Sequence, residues 1–263
     1  MEKIDYLINE LIKEDERLSK VIIPKDNEAK KVLYRALRNI REPKRICNAY
    51  LFVQDEYLQE ELKKKKVTNV SYIKTIDKTL KSKIKNANII ALWKGDITLL
   101  KIDAIVNPTD EYLLGCFIPN HTCVTNAIHS GSGIELRTKC AEIMQGQILP
   151  LGETRITDGF NLPCKFIIHT VGPSVFDNVR DTHINILKEA YYNVLETARL
   201  NNLKTIAFPS LSKSEFNFPK DKSNKILLEV TKSYLKKYPN SFKKIVFNVY
   251  NDEEYKEFKN ILH

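Results

Sequence analysis

Asn88 divides this chain into two kinds of sequence. After it, short apolar runs (NIIAL, ITLL, AIVN, FIIHTV, KTIAFP and KIVFNV) alternate with amphipathic stretches such as THINILKEAYYNVLETARLNN and SNKILLEVTKSYLKKY. Short apolar runs read as buried strands, and strands that alternate with helical patterns call for a largely parallel sheet covered on both faces. Ligands of such sheets bind beyond the carboxyl ends of the strands. Most of the glycines and irregular loops of this half follow those ends.

Before Asn88 the pattern is helical, and no glycine occurs before Gly95. Ile4, Leu7, Ile8, Leu11 and Ile12 recur at helical spacing, as do Val32, Leu33, Ala36, Leu37 and Ile40, with Pro43 ending the second helix. Tyr50 to Leu62 predicts a third helix, and Val70, Ile73, Ile76 and Leu80 a fourth. The expected organisation is a helical N-terminal extension, residues 1–87, ahead of an α/β body of about six strands, residues 88–263.

A chain of 263 residues has room for one large α/β domain with such an appendage. No apolar run approaches the roughly 20 residues that cross a bilayer. The opening MEKIDYLINELIKEDERL mixes charged and apolar residues throughout, so no membrane segment or leader is expected and the expected compartment is the cytoplasm. The net charge of +9 is partly carried by Lys63, Lys64, Lys65 and Lys66 and the lysines that follow. Such charge either solvates a face or attracts anions, and charge alone does not separate the two. No nucleic-acid-binding motif is present, so no specific nucleic acid is expected as a partner.

Chemistry concentrates in GCFIPNHTC, where Cys116, His121 and Cys123 lie close together. Five cysteines without a framework spacing are thiols in a reducing compartment, and a close pair of them suggests a metal site. Two thiolates and an imidazole suit zinc, and three ligands without an obvious fourth resemble a catalytic site that leaves one position for water or substrate. Spacing alone leaves a chance cluster equally open. His129 and Cys140 are candidates for a fourth ligand, with a structural histidine the alternative reading of His129.

GCFIPNHTCVTNAIH resembles the signature of the zinc-containing macrodomains, a branch of the ADP-ribose-binding macrodomain family. The likeness spans nearly the whole chain. WKGDIT followed by DAIVN resembles the start of a macrodomain, and GETRIT, NLP and FIIHTVGP resemble its middle. FPSLSKSEFNFP resembles its second phosphate loop, and LYRALRNIREP with FVQDEYLQEEL the helical extension that precedes it in this branch. The resemblance implies a three-layer α/β sandwich with a central mixed sheet and one Zn2+ held by Cys116, His121 and Cys123. It implies hydrolysis, by a monomer, of mono-ADP-ribose from a modified protein side chain through a carboxylate ester. Asp96 with Ile97 is implied for adenine, Tyr250 for stacking on adenine, and Asn107 and Phe216 for the distal ribose. Val124, Thr125 and Asn126, with Ser212, Lys213, Ser214, Glu215 and Phe216, make up the two phosphate loops by resemblance.

Three positions depart from the family pattern. Asn107-Pro108-Thr109-Asp110 stands where the family has Asn-Ala-Ala-Asn, so Asp110 is a candidate to assist water or to position ribose, together with Asn107. Thr125 replaces an aspartate, and Ser212-Lys213-Ser214 replaces Ser-Thr-Gly, exchanging backbone freedom for a positive charge. These changes keep a second reading open, a non-catalytic reader of ADP-ribosylated protein that retains zinc.

Overall fold

The structure is a computed structural model that describes residues 2–210 and 217–262. The elements run α1 Lys3–Lys13, α2 Asn27–Ile40, α3 Asn48–Lys63, β1 Thr68–Asn69, α4 Ile76–Thr79, β2 Ile90–Lys94, β3 Leu100–Lys101 and β4 Ala104–Pro108. They continue with α5 Val124–Ser132, α6 Ile134–Met144, β5 Thr154–Asp158, β6 Phe166–Thr170, α7 Asp181–Leu200, β7 Thr205–Phe208, α8 Lys220–Lys237, β8 Lys244–Val249 and α9 Asp252–Ile261.

Six strands form the main sheet in the order β2-β8-β7-β4-β6-β5, all parallel except β5, which runs antiparallel to β6. The mixed sheet is the one expected. Two expectations differ in detail. ITLL is not a strand of this sheet, because Asp96 caps the segment and folds Ile97–Leu99 into a 3-10 turn. Only Leu100 and Lys101 continue as strand, paired with β1. The edge strand β5, TRITD, carries no apolar run because only one of its residues is buried.

Alternating strand residues feed two cores. Leu92, Val106, Ile168, Ile206 and Phe247 face α7, α8 and α9, while Ala91, Ile105, Ile167, Ala207 and Val246 face α5 and α6. Three layers result. Ile76, Leu80 and Ala87 pack in the first of these cores, and the Val70–Leu80 stretch, read as one helix, is a 3-10 turn followed by the single-turn α4.

Helices α1 to α3 make a third core around Leu7, Ile8, Tyr34, Leu37 and Tyr50, which closes on Ile134 of α6. Asp26 caps α2 by accepting the Ala29 N–H at 2.8 Å. The buried stripe of α2 is turned from the one the sequence suggests. Tyr34 is buried and meets the Tyr50 hydroxyl at 3.2 Å, whereas Val32 is exposed. That rotation presents Arg35, Arg38 and Asn39, one helical face, to α5 and the loop before it. Gln54 of α3 accepts the Ile134 N–H at 3.0 Å, satisfying an open donor at the start of α6.

Candidate functional site

A cleft of about 450 Å³ opens beyond the carboxyl ends of β2, β4, β7 and β8, where the sheet topology directs ligands. Asp96 and Ile97 enter it after β2, Pro108 after β4, Pro209 and Ser210 after β7, and Tyr250 after β8. The Gly95 N–H donates to Val249 O at 3.0 Å and Asn248 Nδ2 to Gly95 O at 2.9 Å, so the loops bearing Asp96 and Tyr250 are neighbours. Asp96 Oδ1 accepts from the Thr98 N–H at 2.9 Å and the Thr98 hydroxyl at 2.6 Å, which fixes the carboxylate. Tyr250 is 72% exposed, an unburied ring at the cleft.

The other wall is the loop that leads into α5. His121, Cys123, Val124 and Thr125 line the cleft. The Cys116 and Cys123 thiols and a His121 ring nitrogen all lie within 4.8 Å of one another, with Cys116 Sγ 3.4 Å from His121 Nδ1. A tetrahedral zinc with bonds of about 2.3 Å to sulfur and 2.05 Å to nitrogen holds those two atoms roughly 3.5 Å apart. The donor set and its spacing fit that ion. His129 and Cys140 do not join the group: His129 lies against Gly115 and Cys140 near His169. Burial pushes the His129 imidazole well below its usual range, helped by the nearby Arg137 guanidinium.

Asp110 and Asn107, the candidates to assist water or to position ribose, are not among the described residues that line the cleft. Asp110 Oδ1 accepts from the N–H groups of Tyr112 at 2.9 Å and Leu114 at 3.3 Å, and Oδ2 from that of Gly115 at 2.7 Å. Its carboxylate folds the start of the Cys116 loop and does not line the cleft. Asn107 is fully buried, with Nδ2 donating to His169 Nδ1 at 3.1 Å. His169 in turn bonds the Thr157 hydroxyl through Nε2 at 2.9 Å, and burial holds its pKa down to about 3. Asn126 lies behind the wall, its Nδ2 donating to Ile118 O at 3.1 Å. Ser212, Lys213, Ser214, Glu215 and Phe216 lie outside the described residues.

Sequence reasoning missed the residues that hold this wall from behind. Arg35 of α2 reaches the cleft and donates from Nη2 to His121 O at 3.0 Å and Asn126 Oδ1 at 2.8 Å. Asn39 Oδ1 accepts the Asn120 N–H at 2.9 Å. Arg137 of α6 is 4% exposed and donates to Leu114 O and Cys116 O in the loop, and to Arg38 O, Asn39 O and Arg41 O at the end of α2. Burial lowers its pKa to about 10, so it stays a cation at neutral pH. Glu254 of α9 also lines the cleft and accepts the Tyr250 N–H at 2.9 Å. The only signal for these in sequence was the helical spacing of Arg35, Arg38 and Asn39.

The macro domain family model matches residues 106–227. A protein-ADP-ribose hydrolase of Treponema medium is 36% identical over 95% of this chain and 94% of its own length. The chain belongs to the macrodomain protein-ADP-ribose hydrolase family. Among solved structures, a Trypanosoma brucei macrodomain in complex with ADP-ribose superimposes with a TM-score of 0.68 at 24% identity. It covers 87% of this chain and 95% of that one, and shares the fold. An Oceanobacillus iheyensis macrodomain with ADP has a TM-score of 0.59 and 32% identity, covering 66% of this chain and 89% of its own. The family's model begins inside β4 and reaches α8, so it takes in the Cys116–Cys123 loop but not Arg35.

Proposed function

We propose that this chain removes mono-ADP-ribose from modified protein side chains, with the ligand in the cleft and one Zn2+ at Cys116, His121 and Cys123. The observation that carries the reading is the set of three donors, close enough to share one ion, two of which, His121 and Cys123, line a cleft that Asp96, Ile97 and Tyr250 also line. The name of the Treponema medium relative and the ADP complex of the Oceanobacillus iheyensis macrodomain support it.

Asp96 has one oxygen committed to Thr98 and offers the other to the adenine amino group, with the Ile97 backbone beside it. Tyr250 presents its ring for stacking on the base. The open N–H groups of Val124 and Thr125 at the start of α5 suit the diphosphate. Nucleotide laid along these groups brings its distal ribose toward Cys123 and His121. Hydrolysis there adds water across the bond between ribose and side-chain oxygen, leaving free ADP-ribose and an unmodified side chain. Bound zinc would act as a Lewis acid on substrate oxygens and water. Asp110 serves as a positioning residue in this reading, since both of its oxygens organise the loop that carries Cys116.

The test is release of ADP-ribose from a modified protein, with and without chelator. Release that stops on chelation and returns with Zn2+ supports the reading. Undiminished release after the metal is stripped removes zinc from the reaction. Tight ADP-ribose binding without release would instead make the chain a reader.

A further inference from the structure

Arg35 is a half-buried cation with no carboxylate in ion-pair distance among the described residues, unlike Arg41, which pairs with Glu14 at 2.6 Å. Its Nη2 hydrogens are both committed, to His121 O and Asn126 Oδ1, and these two acceptors orient the guanidinium. Its Nη1 carries two more N–H groups that bond no described residue, on a side chain that lines the cleft. Nε is buried and has no partner among the described residues.

The surroundings point to what such a cation receives. Helix α5 begins at Val124 without a side-chain cap, so its first N–H groups have no such partner among the described residues. Thr125 is 4% exposed and lines the same cleft, and its hydroxyl has no partner among the described residues. Helix N–H groups, a hydroxyl and a pre-oriented guanidinium therefore belong to one cleft wall, and each can donate. Several donors on one wall match the oxygens of a phosphoryl group.

We propose that Arg35, carried by the N-terminal extension, binds a phosphate of the nucleotide in the cleft, together with the N-terminus of α5 and the Thr125 hydroxyl. The inference rests on the ADP-ribose reading above. The extension then contributes directly to ligand recognition, through the helix face that the rotation of α2 turns toward the cleft. A guanidinium adds salt-dependent affinity to the neutral donors at the start of α5.

The test is calorimetric titration of the zinc-loaded full chain and its Arg35→Met and Arg35→Lys variants with ADP-ribose and ADP. Adenosine is measured by displacement. Charged hydrogen bonds of this kind set the scale of the loss at about 10- to 100-fold. Arg35→Met is expected to weaken ADP-ribose and ADP by that factor and to leave adenosine within about twofold, with Arg35→Lys recovering part of the loss. The salt dependence of ADP binding should fall in Arg35→Met. Loss on ADP under about twofold, or an equal loss on adenosine, would overturn the assignment and leave Arg35 as a brace for the loop. Failure of the unaltered chain to bind ADP-ribose at millimolar ligand is a different result: it overturns the nucleotide reading of the cleft, and this assignment with it.

Discussion

Replacing Arg137 by Met removes the guanidinium that ties the end of α2 to the Cys116 loop while keeping a side chain of similar length. Four of its N–H groups reach five backbone carbonyls at 2.7 to 3.2 Å, the two Nη1 hydrogens serving three of them. Bonds from a charged donor contribute about 1.5 kcal/mol each at the low end of their range. Against them stands the cost of burying the cation. A pKa lowered from 12.5 to about 10 corresponds to roughly 3 kcal/mol. The bonds win, and the variant is expected to lose about 3 kcal/mol of stability. Equilibrium urea unfolding of the metal-free protein measures this directly. Repeating it with Zn2+ tests the second half of the argument, because Cys116 O is one of the five acceptors. Zinc should stabilise the variant less than the parent, by the linkage between binding and folding. A loss below about 1 kcal/mol with unchanged zinc stabilisation would refute the reasoning, since it would mean that the carbonyls find other partners without cost.

Acid should destabilise the protein through two buried histidines. His169 has its folded pKa pushed down to about 3, and His129 is held well below the usual value, so both are neutral when folded and protonate when unfolded. Their contribution is complete above the unfolded value of about 6.5 and falls as pH drops below it, at roughly 1.4 kcal/mol per pH unit for each. Stability measured between pH 6 and 4 should therefore fall steeply, and His129→Leu should flatten the slope by about half. Tyr250→Ala should leave the urea midpoint unchanged, because the ring is exposed, while weakening ADP-ribose about tenfold in calorimetry. Asp110→Asn replaces an acceptor oxygen by an amide donor facing backbone N–H groups, and should lower both the melting temperature and hydrolysis. A gain in hydrolysis would show that the loop does not depend on that carboxylate.

What was legible in the sequence is what acts locally or repeats. The runs AIVN, KTIAFP and KIVFNV signalled parallel strands because each is buried on both faces. The cluster of Cys116, His121 and Cys123 could be seen because its members are near neighbours in the chain. ITLL misled because apolar content does not report that Asp96 caps a 3-10 turn. TRITD escaped because an edge strand needs few apolar residues. Asp110 invited a chemical role since a carboxylate looks the same on paper whether it faces ligand or a turn of its own loop. Arg35, Asn39 and Arg137 were out of reach for another reason. The bonds that tie α2 to the loop, α5 and α6 span 81 to 99 residues and mostly end on backbone carbonyls or N–H groups, which carry no sequence signal. The folded extension fixes who meets whom.

The bonds between Arg137 and the end of α2 also set an order of events during synthesis. Arg38, Asn39 and Arg41 leave the ribosome 96 to 99 residues ahead of the side chain that binds their carbonyls. At about 5–20 residues per second, the nascent extension waits roughly 5 to 20 seconds with those groups in water. The Cys116–Cys123 loop emerges within that interval, before Arg137 does. Its thiols are therefore first presented on a loop that α2 can already meet through Arg35 and Asn39 but that Arg137 does not yet hold, and the wall of the cleft is completed only once α6 has emerged.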